Sequence, residues 1–385
     1  MKIYNNRFGL LFRINLICII MILINFGCSS PNSPVNGNWI SLGLNGKGIY
    51  RIKTTQNYVY ACALQSGLFR QSISSYSTQW EYLGLQSQSQ YIGGITDVVV
   101  NPNNENEFIA SRSVNRSNLP GIFKSLDAGK TWVESDSGFG FNVPWWYPAD
   151  SGKLTSGSVL FNPANQFDII YAGSDDCDGI YMSTNSGLTW STIINPNLNV
   201  FSQVVSFSQE PSNQNIIYVG GSSGDWGNTL RPAWLIKSAN GITGIWNSLL
   251  PTPTDQIYFN NIVSNICITS NPNVIYIGMR GFVLGSKDGG KTWDKLIEDS
   301  NHPNDIFSIA VAPKDTKHLI AANWITFLES FNEGKTWFKI NIPNSGKVCR
   351  LHWDKRTDNL YAISSDSNSI YVLPNASSTH LKDLH

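Results

Sequence analysis

The sequence predicts an all-β fold, a seven-bladed β-propeller in which every blade is a four-stranded antiparallel sheet. Each predicted blade repeats one phrase, an apolar run, a turn that usually contains Pro, and an aliphatic-Tyr segment such as Ile169-Ile170-Tyr171-Ala172. An octapeptide Ser-x-(Asp/Asn)-x-Gly-x-Thr-Trp follows this phrase in four cases, and a stretched copy ends at Trp246. The complete copies begin at Ser125, Ser183, Ser286 and Ser330. Recurrence at intervals of about 50 residues is typical of propellers and repeat arrays.

Each conserved position of the octapeptide has a structural reason. An Asp or Asn side chain accepts hydrogen bonds from backbone amides just ahead of it and closes a turn. The Gly adopts backbone angles that a β-carbon disfavours, and the Trp buries a flat ring between neighbouring sheets. We therefore interpret these positions as structural. They are Asp127 and Trp132, Asn185 and Trp190, Asp288 and Trp293, and Asn332 and Trp337.

The repeat units divide the chain into seven predicted blades. Their approximate bounds are 48–85, 95–138, 154–196, 201–251, 260–299, 305–343 and 346–373. The last unit lacks an outer strand. Near the N-terminus, the segment Trp39-Ile40-Ser41-Leu42 matches Trp293-Asp294-Lys295-Leu296 of a later unit. We predict that residues 38–44 supply the missing strand, because closing the ring removes an exposed sheet edge.

The first 27 residues are predicted to be a secretory signal. Lys2, Arg7 and Arg13 precede an apolar stretch that is short for a membrane-spanning helix. The segment that ends in Cys28 resembles a bacterial lipoprotein signal, which implies lipidation of Cys28 and a polar tether over residues 28–37. This predicts a lipid-anchored protein of the bacterial cell envelope, on the periplasmic side or the cell surface. The alternative is an ordinary cleaved signal and a secreted protein.

Composition excludes several partners. With 27 basic and 27 acidic residues, the chain lacks the basic excess that nucleic-acid binding needs. It has five scattered histidines and no Cys-x-x-Cys pair, so we expect no metal site and no cofactor. Cys62, Cys267 and Cys349 are expected to be small buried apolar residues, with a Cys62–Cys349 disulfide left open. We expect a monomer.

Two long loops supply the candidate ligand-binding residues. Connections of more than about a dozen residues in compact domains are often functional, and exposed aromatic rings stack on sugars or anchor peptides. The competing interpretation is that these rings fill the channel. Charged side chains on the same predicted face complete the candidate site. The candidates are Trp145, Trp146 and Tyr147 in one loop, Trp226 and Arg231 in the other, and Arg112, Arg280, Asp175 and Asp176.

The octapeptide resembles the Asp-box (BNR) repeat of sialidases, sortilin-type receptors, xyloglucan hydrolases and single-propeller photosystem II assembly factors. In these families the box is a structural turn on the propeller rim. The catalytic motifs of two of them are not matched. Arg51-Ile52 is followed by Lys53, which departs from the sialidase Arg-Ile-Pro, and residues 62–70 lack the catalytic Asp of the xyloglucan hydrolases.

These observations predict a non-catalytic, envelope-anchored propeller that binds an envelope protein or a glycan through an aromatic-rich loop face. The alternative is a carbohydrate-active enzyme, similar to a glycoside hydrolase, that uses loop carboxylates such as Asp150, Asp175, Asp176 or Asp225. Two carboxyl groups facing each other across an open cleft, about 5–10 Å apart, would favour the enzyme.

Overall fold

The chain forms seven four-stranded antiparallel sheets arranged as a β-propeller, which confirms the predicted fold class. The computed structural model describes residues 39–87, 92–114, 121–138, 159–161, 167–173, 180–193, 202–223, 232–239, 245–250, 261–340, 347–364 and 369–379. Among these residues, no helix is long and apolar enough to cross a membrane. The predicted signal, Cys28 and the tether lie outside the described residues.

The chain begins with strand β1 (Ile40–Gly43) and then builds the blades in order. Blade one contains β2 (Ile49–Thr54), β3 (Tyr58–Ala63), β4 (Gly67–Ser72) and β5 (Glu81–Tyr82). Blade two contains β6 (Ile92–Val100), β7 (Phe108–Val114), β8 (Ile122–Ser125) and β9 (Val133–Glu134). Blade three contains β10 (Val159–Phe161), β11 (Ile170–Gly173), β12 (Ile180–Ser183) and β13 (Ser191–Ile193). Blade four contains β14 (Ser202–Glu210), β15 (Asn213–Ser223), β16 (Ala233–Ser238) and β17 (Trp246–Ser248).

The remaining three blades follow the same plan. Blade five contains β18 (Val263–Ile268), β19 (Ile275–Met279), β20 (Phe282–Ser286) and β21 (Asp294–Glu298). Blade six contains β22 (Ser308–Val311), β23 (Leu319–Ala322), β24 (Phe327–Ser330) and β25 (Phe338–Lys339). Blade seven contains β26 (Val348–Asp354), β27 (Asn359–Ser364) and β28 (Ile370–Leu373), followed by a 3₁₀ turn at Ala376–Ser378.

Strand β1 completes blade seven, as the sequence predicts. It pairs with β28 in antiparallel register, with Ile40 opposite Val372 and Ser41 opposite Tyr371. Trp39 is fully buried and its ring lies 6.3 Å from that of Phe327 in blade six. On the other side, the indole N–H of Trp80 in blade one donates to the carbonyl of Leu42 over 2.7 Å. The N-terminal segment therefore completes blade seven, packs against blade six and accepts a hydrogen bond from blade one.

The core lies between the blades, where second strands pack on both faces. The tyrosines of the repeated aliphatic-Tyr segments are almost fully buried there, which explains why five of the seven blades have Tyr at this position. These tyrosines are Tyr60, Tyr171, Tyr218, Tyr276 and Tyr361. Cys62 is buried beside this layer, and the structure records Cys62, Cys267 and Cys349 as free thiols.

Each complete octapeptide forms a hydrogen-bonded turn between the third and fourth strands of its blade. In the first copy, Ser125 Oγ accepts from the amide of Gly129 over 2.9 Å and donates to Asp127 Oδ1 over 2.9 Å. Asp127 also accepts from the amide of Thr131 over 2.9 Å and from its hydroxyl over 2.6 Å. These hydrogen bonds from Thr131 lower the pKa of Asp127 to about 2.

The octapeptide tryptophans tie each blade to the one before it. In every copy the indole N–H donates to a backbone carbonyl in or beside the outer strand of the preceding blade. The donor–acceptor pairs are Trp132 with Leu83 at 2.7 Å, Trp190 with Ser135 at 2.6 Å, Trp293 with Leu249 at 3.0 Å and Trp337 with Leu296 at 3.1 Å.

Candidate functional site

The inner strands surround a central channel of about 720 Å³. Its described lining mixes aliphatic and aromatic side chains with polar ones, among them Tyr50, Arg51, Ser264 and Arg350. The inner strands begin at one end of this channel, which we call the entry end. Ile306 and Trp324 line the channel there, in the segments before β22 and after β23.

In the part of the chain that the structure describes, five inner strands each contain a register shift, and the residue that follows the shift occupies an equivalent position in each strand. In each case the strand pairing skips a residue, and such irregularities re-aim the side chain that follows. We call the first paired residue after each shift the post-shift residue. The post-shift residues are Arg51, Asp97, Ser206, Asn265 and Arg350.

Several polar side chains on or beside the inner strands bond to the next blade and form what we call the polar belt. Its members link blades one and two, four and five, five and six, six and seven, and seven and one. The linking pairs are Arg51–Asp97, Ser206–Val263, Ser264–Phe307, Asn265–Ile309, Ser308–Leu351 and His352–Thr54. A polar channel wall in this fold is therefore largely structural, because these bonds satisfy buried groups that would otherwise destabilise the ring.

The contact between blades one and two includes a buried ion triad. Asp97 is fully buried and its Oδ2 lies 3.1 Å from the Arg51 guanidinium, while Oδ1 lies 3.3 Å from Lys53 Nζ. The amide of Val98 donates to the same Oδ1 over 2.8 Å. Both oxygens of the carboxylate are thus engaged within the wall, and Asp97 is a structural group and not a candidate acid or base.

A cluster of charged and aromatic residues lies at the entry end between blades five and six. We call it the blade-six rim and define it by Arg280, Asp299, His302, Asp305 and Trp324. Gly281 organises it, since its amide donates to the carbonyl of Asp305 over 2.8 Å and its carbonyl accepts from the amide of Asp299 over 2.9 Å. Gly281 has a φ of 72°, and a β-carbon there would lie 2.9 Å from the carbonyl oxygen of Pro303. Both aspartates are therefore bonded through their backbone to Gly281. A larger residue at position 281 would force the loop to move.

The two rim aspartates have different surroundings. Burial raises the pKa of Asp299, but hydrogen bonds from Asn323 and His302 outweigh it, so the pKa lies below its usual range. The distances are 3.2 Å from Asn323 Nδ2 and 3.2 Å from His302 Nδ1 to Asp299 Oδ2. Asp305 differs, because its Oδ2 is buried without a hydrogen-bond partner among the described residues. Asp299 is thus held ionised, whereas Asp305 has one buried oxygen that no described residue bonds to.

An exposed aromatic side chain stands beside this pair. Trp324 is 54% exposed and Ile325 is 48% exposed, in a tight turn where Asn323 Oδ1 accepts from the amides of Ile325 and Thr326. An exposed indole at a cavity mouth offers a flat apolar face on which a sugar ring can stack. Sequence reasoning missed this site because it searched the long loops. The available signal was a Trp that no octapeptide explains.

The structure places the two described arginine candidates in different settings. Arg280 belongs to the rim, where it bridges to Ile306 and its Nε is buried without a partner among the described residues. Arg112 lies inside β7 and not in a loop, with its guanidinium 4.6 Å from the Phe123 ring, and burial lowers its pKa. The candidates outside the described residues are Trp145, Trp146, Tyr147, Asp150, Asp175, Asp176, Asp225, Trp226 and Arg231.

Fold and site together define a propeller with an aromatic ring, Trp324, in the lining of its channel and two aspartates in the neighbouring blade-six rim. No protein-family model matches the chain. It is 25% identical over 254 residues to a xyloglucanase of Paenibacillus sp, which covers 60% of this chain and 22% of that protein. It is 23% identical over 299 residues to a xyloglucanase of Hypocrea jecorina, covering 70% and 32% respectively. The chain thus spans well under half the length of these curated relatives.

Solved structures support the same fold. The GH74 enzyme of Niastella koreensis has a TM-score of 0.60 and 18% identity, over 86% of this chain and 53% of that one. YCF48 bound to D1 peptide has a TM-score of 0.57 and 12% identity, over 90% of this chain and 98% of that one. At these identities the likeness shows the fold alone.

These relatives correct the functional prediction made from sequence. The expectation of a non-catalytic binding propeller is wrong, because the curated relatives are named as enzymes that act on a polysaccharide. They favour the carbohydrate-active alternative. The prediction failed because it rested on two missing family motifs, and missing motifs say nothing about carboxylates supplied from other loops.

Proposed function

We propose that the chain is a glycoside hydrolase-like propeller that cleaves a polysaccharide at the blade-six rim. One observation carries the proposal, namely that the exposed Trp324 lines the channel and directly follows Asn323, whose amide donates to Asp299 in a rim with two aspartates of unlike surroundings. The similarity to xyloglucanases supports it. Hydrolysis of a glycosidic bond needs two carboxyl groups, one of which donates a proton while the other stays charged.

The unlike surroundings of the two aspartates suggest how the roles divide. Asp299, kept ionised by Asn323 and His302, fits the charged partner that activates water or attacks the sugar. We assign to Asp305, whose Oδ2 has no hydrogen-bond partner among the described residues, the second role, that of the acid that protonates the leaving oxygen. Trp324 would hold the neighbouring sugar ring by stacking, with Ile306 and Ile325 extending the apolar surface.

Release of reducing ends from xyloglucan, and then from a panel of other glycans, tests this proposal. We expect Asp299→Asn and Asp305→Asn each to lower kcat by roughly 10²–10⁴-fold, the usual contribution of a positioned acid or base. Asp315→Asn is the matched control, since Asp315 is an exposed loop carboxylate near the opposite end of blade six. Normal turnover in both rim variants, or no hydrolysis of any glycan by the wild-type protein, would contradict the proposal.

We also propose that the octapeptides are Asp-box repeats. The support is the hydrogen-bond pattern, in which the Ser hydroxyl and the Asp or Asn side chain close the turn in the same way in all four complete copies. This proposal concerns the fold and leaves the rim as the site of chemistry.

A further inference from the structure

We infer that the channel wall between blades one and seven holds a carboxylate-binding subsite formed by Arg350, Arg51 and Tyr50, which takes a uronic-acid unit of an acidic glycan. The inference rests on the proposed function, because it assigns the class of glycan that the rim would cleave. It adds a site on the wall of the channel that is separate from the rim aspartates.

The Tyr50 ring lies near two guanidinium groups. Arg350 Cζ is 4.1 Å from the ring centroid and Arg51 Cζ is 5.8 Å from it. Tyr50 and Arg350 lie near the starts of β2 and β26, so the group is at the entry end with Trp324, and all four residues line the channel. Stacking on an aromatic face fixes the plane of a guanidinium while leaving its N–H edge available.

Comparison of the post-shift residues shows that Arg350 is the exception. Arg51 and Asp97 bond to each other, Ser206 Oγ donates to the carbonyl of Val263, and Asn265 Oδ1 accepts from the amide of Ile309. Each of these contacts joins one blade to the next. Arg350 contacts the next blade through the Tyr50 ring alone, and among the described residues no carboxylate or carbonyl bonds to its guanidinium. The guanidinium of Arg350 therefore forms none of the hydrogen bonds that define the polar belt among the described residues.

In the described part of the wall, positively charged side chains outnumber acidic ones. Arg51, Lys53 and Arg350 contribute three cations, and Asp97 contributes one anion whose oxygens are both engaged. In addition, Arg51 Nε is buried without a hydrogen-bond partner within the described ranges. Like charges near one another in a partly enclosed space are costly unless an anion joins them. Among the described residues, Arg350 is the cation of this wall for which no hydrogen-bonded anion is recorded.

The geometry favours a sugar carboxylate as the anion that Arg350 binds. A guanidinium edge matches the two oxygens of a carboxylate and forms paired, charge-assisted hydrogen bonds. The channel, at about 720 Å³, lies within the 300–1,000 Å³ range of small-ligand sites. The balanced charge of the whole chain, 27 basic and 27 acidic residues, argues against an extended polyanion.

Titration with glucuronate and with glucose, followed by NMR of the ligand signals, tests the subsite, because the two sugars differ only in the carboxylate. We expect the wild-type protein to bind glucuronate at least about tenfold more tightly than glucose, since a charge-assisted pair adds more than a neutral hydrogen bond. Arg350→Gln should remove that preference, and Arg350→Lys should retain part of it, because Lys keeps the charge and loses the fork. Lys339→Gln is the control, since it removes one exposed positive charge from the outer strand β25.

Three results would overturn the subsite. They are equal binding of glucuronate and glucose by the wild-type protein, an unchanged preference in a folded Arg350→Gln variant, and tighter binding of inorganic phosphate than of glucuronate. Thermal unfolding checks that both Arg350 variants are folded. The titration involves no hydrolysis, so failure of the rim assay and failure of this subsite are separate outcomes.

Discussion

The tryptophan that ends each octapeptide has two structural functions. Its ring fills the space between two blades, and its indole N–H satisfies a backbone carbonyl of the preceding blade. The degree of burial varies among the copies. Trp190 is 4% exposed, whereas Trp132, Trp293 and Trp337 are only partly buried. The energetic weight of one motif position therefore differs from blade to blade.

Trp190→Ala should lower the free energy of unfolding by roughly 3–5 kcal/mol, the usual cost of removing a buried aromatic ring. Trp190→Phe keeps much of the ring and loses the hydrogen bond to Ser135, so a smaller loss of about 1–3 kcal/mol is expected. Ile245→Ala is the control, because Ile245 is 82% exposed. Denaturant titration measures all three, and a Trp190→Ala midpoint equal to that of the control would show that the ring does not bind the blades together.

The turn itself accepts either an acid or an amide at its central position. Asp127 and Asp288 accept from the Thr hydroxyl two positions after the Gly, over 2.6 Å in both cases. Asn185 and Asn332 place an amide N–H against the same hydroxyl at 2.8 Å, with the hydroxyl as acceptor. The oxygen that accepts the backbone amides is common to both side chains, and this explains the Asp/Asn alternation in the sequence.

At the scale of elements, β1 is a short strand with a large structural effect. It provides the outer edge of blade seven through β28, Trp39 joins the core of blade six, and Leu42 offers its carbonyl to Trp80 of blade one. Without it, β28 would have an unpaired edge and two blade interfaces would lose buried apolar surface.

Two truncations separate the strand from the segment before it. A chain that begins at residue 39 should unfold at the same temperature as the longer protein, because it retains β1. A chain that begins at residue 45 should unfold at a clearly lower temperature or aggregate through the open edge. Thermal unfolding and size-exclusion chromatography measure both. Equal unfolding temperatures for the two truncations would mean that β1 does not close the ring.

The elements also show which features the sequence makes visible. Positions that are buried in the same way in successive blades, such as Tyr171 and Trp190, have similar residues in each repeat and can be recognised from sequence. The match of Trp39 to Trp293 revealed the closing strand in the same way. The blade-six rim left no repeated pattern in the sequence. Trp324 lies in a turn of a few residues, and the backbone positions of Asp299 and Asp305 depend on their hydrogen bonds to Gly281. The position of Arg350 depends on a register shift in strand pairing, which residue type does not encode.

At the scale of the whole molecule, the polar belt links adjacent blades around the channel. One of its links contains a titratable histidine, so the stability of the ring depends on pH. The link between blades seven and one is the contact of His352 Nε2 with Thr54 Oγ1 at 2.8 Å. Burial lowers the pKa of His352 to about 4, with Lys53 and Arg356 acting in the same direction and Asp354 opposing them. His352 is therefore neutral in the folded protein at a pH where it is charged in the unfolded chain.

This difference predicts a loss of stability in mild acid. The pKa of His352 falls from 6.5 in the unfolded chain to about 4 in the folded protein. Between these values the unfolded chain binds the extra proton, so the free energy of unfolding falls as the pH drops from 6.5 to 4, by on the order of 2–3 kcal/mol. His352→Gln keeps a polar partner for Thr54 and removes this titration, so it should lose less stability than the wild type over that range, the remaining loss coming from carboxylates with lowered pKa values such as Asp127. The exposed Lys339→Gln control should retain the wild-type slope. Denaturant titrations at intervals between pH 7 and pH 4 measure the slope, and parallel curves for wild type and His352→Gln would refute the assignment to His352.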